Sequence, residues 1–144
     1  MLIVLASYFE PEHHGDGRKI GVSPGKPKPS QIDQACEDKG VESYECDSLF
    51  KPLSPGDFYW DYMRDKKLNY KEAGRTFRES YSKQLDKFAE GVREKADKEG
   101  KDVLEVLPFK DGDTLLSWER NGHMSYRTML ADTLRDLGYD VEEN

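Results

Sequence analysis

The feature that most constrains the fold is a short apolar run followed by a polar loop and an amphipathic stretch, in the last third of the chain. Thr114–Trp118 (TLLSW) has the continuous apolar character of a strand covered on both faces. After the loop, Leu130, Leu134 and Leu137 repeat at helical spacing, and Gly138 suits the position just past a helix end. A strand, a loop and a helix in this order predict a parallel α/β sheet, in which ligands bind at the carboxyl ends of strands.

The opening run Leu2–Tyr8 is also continuously apolar. It lacks a basic leading region and a small-residue cleavage site, so it predicts a buried strand rather than a signal peptide, and we expect a cytoplasmic protein. Because both runs need cover on two faces, we predict that Leu2–Tyr8 and Thr114–Trp118 are neighbouring or near-neighbouring parallel strands.

A long amphipathic helix is predicted between Asn69 and Gly100. Asn69 suits the N-cap, with Glu72 at the capping-box position. The helix would be about 40 Å long. Its apolar stripe advances in steps of three and four residues and comprises Ala73, Phe77, Tyr81, Leu85, Phe88, Val92 and Ala96.

Shorter elements are predicted in the first half of the chain. Ile20–Ser23 suits a second strand, and Pro27 and Pro29 predict an extended, non-helical chain after it. Val41–Leu49 adds either an irregular strand or a loop.

Three further elements follow from local signals. A helix is predicted from a Ser54 N-cap, with Pro55 in its first position, to about Arg64. Val103–Leu107 is apolar enough for a short strand or extended segment, and Tyr139–Val141 for a closing strand. The element order predicts an α/β fold: a single Rossmann-like domain over residues 1–144 with a mainly parallel sheet and flanking helices.

Composition limits the classes of function. Hydrophobic and charged residues each make up 35% of the 144 residues, and aromatic residues reach 11%, which favours one folded domain with long polar loops. No apolar run approaches the length of a membrane span, so we expect no membrane association. The net charge of -7 makes nucleic-acid binding an unfavoured but open alternative.

The charge is unevenly distributed. Residues 17–30 hold four basic side chains and no acid, whereas residues 31–49 hold six acids and one lysine. Solvated loops are the commoner explanation of such runs, and a local anion site is the alternative. If the basic loop serves an anion site, at least one of its cations should approach Arg127; the four are Arg18, Lys19, Lys26 and Lys28.

Other candidate groups have simple structural explanations. Cys36 and Cys46 match neither a redox pair nor a zinc knuckle and are expected to be reduced thiols. The adjacent His13 and His14 point opposite ways in an extended loop, so a solvated loop is favoured over a metal site and no metal is predicted. The aromatic cluster of residues 58–62 is either core or a surface that stacks a base, and core is the commoner case.

The leading candidate site joins the end of the Thr114–Trp118 strand to the start of the last helix. We predict that Ser117, Glu119, Ser125 and Arg127 bind a ligand, with Lys26 as a further cation from the basic loop. Arg127 would contribute a planar fork suited to phosphate or carboxylate.

Two residues of this segment are candidates for acid–base chemistry. Glu119 could pair with Arg127, orient it or act as a base, and His123 titrates near neutral pH. The structural alternative makes Ser125 only a helix cap and Glu119–Arg127 only a salt bridge that braces the loop.

The same segment resembles the domain-of-unknown-function 488 family. That family typically has Cys, an aromatic residue and Glu, then a short loop and Cys-His-Arg. Here the pattern is LL-S-W-E, five residues, then S-Y-R, so Glu119 and Arg127 match the family's Glu and Arg and the step from Ser117 to Ser125 is kept. The apolar opening strand, the IGVS segment, the FKPLSPGDFYWDYMRD region and the Tyr-bearing long helix agree as well.

The departures from the family pattern concern reactive groups. Both family cysteines are serines here and the family's His is Tyr126, so thiol or soft-metal chemistry does not carry over. The family has no settled activity, and the resemblance implies a nucleotide-linked or nucleic-acid-linked role.

The function expected from the sequence is binding of a small anionic, phosphate-bearing, nucleotide-like ligand at the loop between Trp118 and Ser125. Whether a reaction follows, which cofactor is used and how many copies assemble stay open. The alternatives are a non-catalytic protein-interaction module, which would use residues 31–49 and the long helix, and a nucleic-acid-associated factor.

Overall fold

A computed structural model describes residues 1–120 and 126–144, and it contains a five-stranded sheet in which every pair of neighbouring strands is parallel. The strand order is β3-β2-β4-β1-β5. The strands are β1 (Leu2–Ser7), β2 (Lys19–Gly21), β3 (Ser48–Leu49), β4 (Asp113–Ser117) and β5 (Asp140–Glu143). The helices are α1 (Pro29–Asp38), α2 (Phe58–Asp65), α3 (Tyr70–Glu99), α4 (Val103–Val106) and α5 (Arg127–Asp136). The predicted Rossmann-like α/β fold is confirmed.

The predicted pairing of the two apolar strands is confirmed, because β1 and β4 are neighbours at the centre of the sheet. Their register runs from Ile3 opposite Asp113 to Ser7 opposite Ser117, so the two strands end level at their carboxyl ends. With β2 and β5 on their outer sides, neither strand is a sheet edge. Whatever follows Ser7 and Ser117 therefore leaves the sheet at the same place.

The two faces of the central strands are covered by different groups. Leu5 and Leu115 join a large core beneath α2, α3 and α5, whereas the next residues, Ala6 and Leu116, join a smaller cluster around Tyr8. This alternation follows from the two-residue period of a strand. Continuous burial on both faces explains why these strands carry no exposed polar positions.

The long predicted helix is confirmed with its cap. The Asn69 side chain accepts a hydrogen bond from the Glu72 backbone N–H at 3.1 Å, and the helix ends at Gly100, whose φ of 64° is left-handed. The predicted stripe is buried except at Phe88, which is partly buried beside a fully packed Ala89. None of the helices in residues 1–120 and 126–144 combines the length and apolar character that crossing a membrane requires.

Three local predictions are wrong. Pro29 does not keep the chain extended but occupies the first position of α1, where the missing N–H costs no hydrogen bond. The Val103–Leu107 run forms the short helix α4 rather than a strand, since periodicity does not separate the two in so few residues. Helix α2 begins at Phe58 after Asp57, so Ser54 is not its cap.

The remaining local predictions agree with the structure in outline. Of Val41–Leu49, only Ser48 and Leu49 form a strand. The predicted closing strand forms as β5, and it pairs with β1. Gly138 follows the end of α5 with a φ of 109°, as expected of a residue just past a helix.

One close backbone crossing depends on glycine. Gly17 donates its N–H to the Gly112 carbonyl at 3.1 Å, next to the ion pair of Arg18 with Asp113 at 2.6 Å. A Cβ on Gly17 would lie 2.6 Å from the Gly112 carbonyl oxygen and 2.8 Å from the Asp113 nitrogen. These are backbone atoms, so a side chain at Gly17 forces the two segments apart.

We expect Gly17→Ala to lower the free energy of unfolding by about 1–3 kcal/mol, the usual cost of overpacking. Gly25→Ala is the matched control, since a Cβ there would meet nothing within 4 Å. Chemical denaturation of both variants measures the difference. An equal effect of the two substitutions would show that the crossing relaxes without cost.

Candidate functional site

The candidate site lies where β1 and β4 end. The pairing continues past the strands, because the Tyr8 N–H donates to the Ser117 carbonyl at 2.9 Å and the Ser7 hydroxyl donates to the Trp118 carbonyl at 3.3 Å. These bonds hold residues 8–9 beside residues 118–119 at the carboxyl edge of the sheet. This is the place where parallel α/β proteins bind ligands.

A cavity of about 350 Å³ opens at this edge. One wall comes from the segments that follow the two strands and includes Phe9, Trp118 and Arg120. The facing wall comes mainly from α2 and the residues after it and includes Tyr59, Tyr62, Met63, Lys66 and Tyr70, and Glu119 completes the lining. The cavity therefore combines five aromatic rings with one carboxyl group and two cations.

Trp118 is held firmly in the first wall. Its indole Nε1 donates to the Gly25 carbonyl at 2.7 Å, and its ring meets the Phe9 ring edge-on with 5.6 Å between centroids. A second edge contact joins it to Tyr8, at 6.0 Å. Because both the polar and the apolar parts of the indole have partners, the wall is formed before any ligand arrives.

Glu119 is the acid of the cavity. Its Oε2 is buried and has no hydrogen-bond partner in the described part of the chain. Burial raises the pKa of the carboxyl group; its own backbone N–H, the Arg127 guanidinium and the Ser117 hydroxyl lower that pKa less strongly. The titratable and charged groups that interact with it are Tyr59, Tyr62, Lys66, Tyr81, Tyr126 and Arg127.

Arg127 lies under the site, with 4% of its surface exposed. One terminal nitrogen donates to the Ser117 hydroxyl at 2.6 Å and to the Glu119 carbonyl, and Nε donates to the Asn144 carbonyl at 2.8 Å. Burial lowers the pKa of the guanidinium, while the negative charges of Glu119 and Glu10 raise it. The guanidinium thus fastens the end of β4 to the loop after it and to residue 144.

The predicted site residues are brought together in part. Ser117, Glu119 and Arg127 are neighbours, as expected for a strand end and the following helix start. Lys26 lines a second groove, of about 480 Å³, which also contains Tyr44 and Cys46. The predictions for His123 and Ser125 fall outside the described residues. The ligand-binding role of these residues stays a prediction.

The basic loop divides between the two ends of the sheet. Arg18 pairs with Asp113 at the amino end of β4, and the Lys19 ammonium group donates to the Gly15 carbonyl. Lys28 precedes the first turn of α1, and its backbone N–H donates to the Gln31 side chain at 2.9 Å. Arg18 and Lys19 therefore have structural partners at the end of β4 remote from Arg127.

The other candidates have ordinary contacts. The His14 Nε2 lies 2.8 Å from the Ser7 carbonyl, its ring meets the Tyr44 ring edge-on, and burial lowers its pKa. Over residues 1–120 and 126–144 there is no group of three potential metal ligands. Cys36 and Cys46 are free thiols.

Sequence reasoning missed the wall that α2 contributes. The sequence predicts that the cluster containing Tyr59 and Tyr62 is either core or a base-stacking surface, but it does not place that cluster beside the strand ends. Both side chains are largely buried and also line the cavity. Trp60, between them, is 59% exposed and is not part of the cavity lining. Lys66 carries no local signal, because its place beside the loop after β4 results from packing between segments far apart in sequence.

No protein-family model, curated protein or solved structure matches this chain. The resemblance to the domain-of-unknown-function 488 family therefore stays a prediction, and the interpretation of the site depends on its geometry.

The raised pKa of Glu119 predicts a pH-dependent stability. Below the ordinary carboxyl pKa of 4.5 the group is protonated in both folded and unfolded chains and costs nothing. As the pH rises from 4.5 towards the higher pKa of the folded state, the unfolded chain releases the proton before the folded chain does, so the free energy of unfolding falls. We expect Glu119→Gln to raise the free energy of unfolding by about 1 kcal/mol relative to wild type at pH 8, seen as a higher unfolding temperature, with no gain at pH 4.

The comparison uses thermal unfolding of both proteins from pH 4 to pH 8, with Glu105→Gln, an exposed acid on α4, as control for net charge. A gain of the same size at every pH would contradict the assignment of a buried, titrating Glu119.

The contacts of Arg127 predict a structural cost when it is removed. Arg127→Ala leaves the Ser117 hydroxyl and the carbonyls of Glu119 and Asn144 without this donor. We expect a loss of about 3 kcal/mol in the free energy of unfolding, with Arg127→Lys intermediate. Urea unfolding measures it, with the exposed Arg93→Ala as control. A loss no larger than that of the control would show that the guanidinium is not a brace.

Proposed function

We propose that this protein binds a small phosphate-bearing, nucleotide-like ligand in the cavity between the strand ends and α2. The observation that carries the proposal is the presence of aromatic walls and two cations around one cavity of about 350 Å³. That volume lies within the usual range for small-molecule sites. The ligand class is the one expected from the sequence, but Lys66 and Arg120, rather than Arg127, would hold the anion.

The aromatic walls support a flat ring as one part of the ligand. Phe9 and Trp118 stand on one side and Tyr59, Tyr62 and Tyr70 on the other. Bases stack on such side chains largely without regard to sequence, because each base has a π face. Tyr70 is largely exposed, which keeps the α2 side of the cavity accessible from solvent.

The two cations support an anionic group as the other part. The Lys66 ammonium lies 5.7 Å from the centroid of the Tyr62 ring, and the Arg120 guanidinium lies 5.1 Å from that of Phe9. One cation thus stands on each wall, in a chain whose net charge is -7. A phosphate between them would receive charge-assisted hydrogen bonds from both sides.

Arg127 has a different role in this proposal from the one expected from the sequence. Its bonds to Ser117, Glu119 and Asn144 make it the residue that positions the cavity wall, and Lys66 and Arg120 take over contact with the anion. The proposal is one of binding and assigns no reaction. A cytoplasmic location, membership in the resembling family, and the interaction-module and nucleic-acid alternatives stay predictions.

The test is calorimetric titration with 5′-guanosine monophosphate and with ribose 5-phosphate. We expect saturable binding of the nucleotide, and a loss of at least about tenfold in affinity in the double variant Lys66→Ala, Arg120→Ala, which removes two charged hydrogen bonds. Lys67→Ala is the control, because Lys67 is exposed, adjacent in sequence and not part of the cavity lining.

Two results would contradict the proposal. The first is no binding of either phosphate compound at millimolar concentration. The second is binding that the double variant weakens no more than Lys67→Ala does, which would place the anion elsewhere on the molecule.

A further inference from the structure

We infer that Glu119 determines which ring the cavity accepts, by taking a hydrogen bond from an N–H on the edge of a heteroaromatic ring, so that the ligand is a nucleotide whose base carries such a donor. This rests on the proposed function and goes beyond it, since aromatic walls and cations alone would accept any flat anion.

One oxygen of the Glu119 carboxyl group is unpaired within residues 1–120 and 126–144. The Glu119 Oε2 is buried and lacks a hydrogen-bond partner among the residues that the structure describes, although the side chain lines the cavity. A buried acceptor without a donor costs free energy, and an ionised one costs more. Such an atom in a cavity wall is expected where a ligand supplies the missing donor.

Two strong donors near Glu119 are used by other acceptors of the protein. Arg127 approaches Glu119 but donates from one terminal nitrogen to the Glu119 backbone carbonyl and to the Ser117 hydroxyl. Trp118, the preceding residue, sends its indole N–H to the Gly25 carbonyl. These two donors therefore hold the wall. The Ser117 and Tyr59 hydroxyls interact with the Glu119 carboxyl group, and its Oε2 is still left without a hydrogen bond among the described residues.

Glu119 interacts with both walls of the cavity. Glu119 follows Trp118 of one wall directly and interacts with Tyr59 of the other. It thus stands where the two aromatic walls meet. A ring that enters between the walls presents its edge to the place where they join, and the cations Lys66 and Arg120 remain for a phosphate.

The chemistry of an acceptor defines the ligand class. A carboxylate accepts hydrogen bonds, so it favours a ring edge with N–H donors, such as the N1–H and exocyclic amine of guanine. A purine that lacks both would leave Oε2 unpaired in a site from which water has been displaced. A site built to pair such a group discriminates strongly against an analogue that lacks it.

The raised pKa of Glu119 is consistent with this role. Burial disfavours the ionised carboxyl group, and a donor from a ligand would stabilise it. The same residue therefore costs stability in the unliganded protein and contributes to binding in the liganded one.

The experiment compares ligands that differ only at the ring edge. Calorimetry measures the affinity of 5′-guanosine monophosphate, of purine riboside 5′-monophosphate, which has no N–H donor on its six-membered ring, and of ribose 5-phosphate. The proteins are wild type, Glu119→Gln and Glu105→Gln; the last removes one exposed carboxylate outside the cavity.

We expect wild type and Glu105→Gln to bind guanosine monophosphate at least about tenfold more tightly than the purine riboside compound. In Glu119→Gln that ratio should fall below about threefold, since the ionised acceptor is gone. The affinity for ribose 5-phosphate should change by less than about threefold in the same variant, which a general loss of structure would not allow.

The failures of the two proposals are distinguishable. Equal affinity of wild type for the two nucleotides, or an unchanged ratio in Glu119→Gln, overturns the role of Glu119 and leaves phosphate binding standing. The free nucleosides guanosine and purine riboside are titrated as well. If wild type discriminates between them and binds neither more tightly when the 5′-phosphate is present, the role of Glu119 is supported and the anion site is overturned. No binding of any of these compounds overturns both.

Discussion

The chain at the carboxyl edge of the sheet, where the candidate site lies, depends on the hydrogen bonds of one buried guanidinium. Arg127 opens α5 and is almost fully buried, so its hydrogen-bonding groups need partners within the protein. The known partners are the Ser117 hydroxyl at the end of β4, the Glu119 carbonyl in the loop after it and the Asn144 carbonyl beyond β5. One side chain thereby sets the direction in which the chain leaves the sheet and hence where Trp118 and Glu119 stand.

The same arrangement makes a local conflict in the wall of the cavity. The guanidinium satisfies backbone and hydroxyl oxygens around it, and the Glu119 carboxyl beside it keeps a buried oxygen that has no hydrogen-bond partner among the residues the structure describes. A chain selected for stability alone would place a neutral or apolar group there. Polar groups that break a local rule are expected where a site must be ready for a ligand, and their cost is offset by the packing around them.

Continuous apolar runs and helical periodicity were sufficient to predict the framework. The structure is predictable where the apolar pattern is long or uninterrupted, as in Leu2–Tyr8, Thr114–Trp118 and the stripe of α3. It is not predictable at Pro29 and residues 103–107, because their sequence signals are compatible with two conformations. The joining of Ser117, Glu119 and Arg127 was predictable, because a strand end and the next helix start return to one edge. The burial of Arg127 was not, since it depends on residue 144 reaching the same place.

The facing wall shows why a site is harder to predict than a fold. Tyr59 and Tyr62 reach the cavity because α2 packs on α3, with the Tyr62 ring 5.4 Å and the Tyr59 ring 6.3 Å from the ring of Phe77. Neither spacing nor charge in residues 58–66 indicates that this helix will stand opposite the loop after β4. Hydrogen bonds of Arg127 and Trp118 hold the wall on the strand side, whereas α2 is held mainly by side-chain packing, so we expect adjustment of the cavity to a ligand to fall on α2. The wall formed by α2, which the sequence does not predict, therefore sets the width of the cavity.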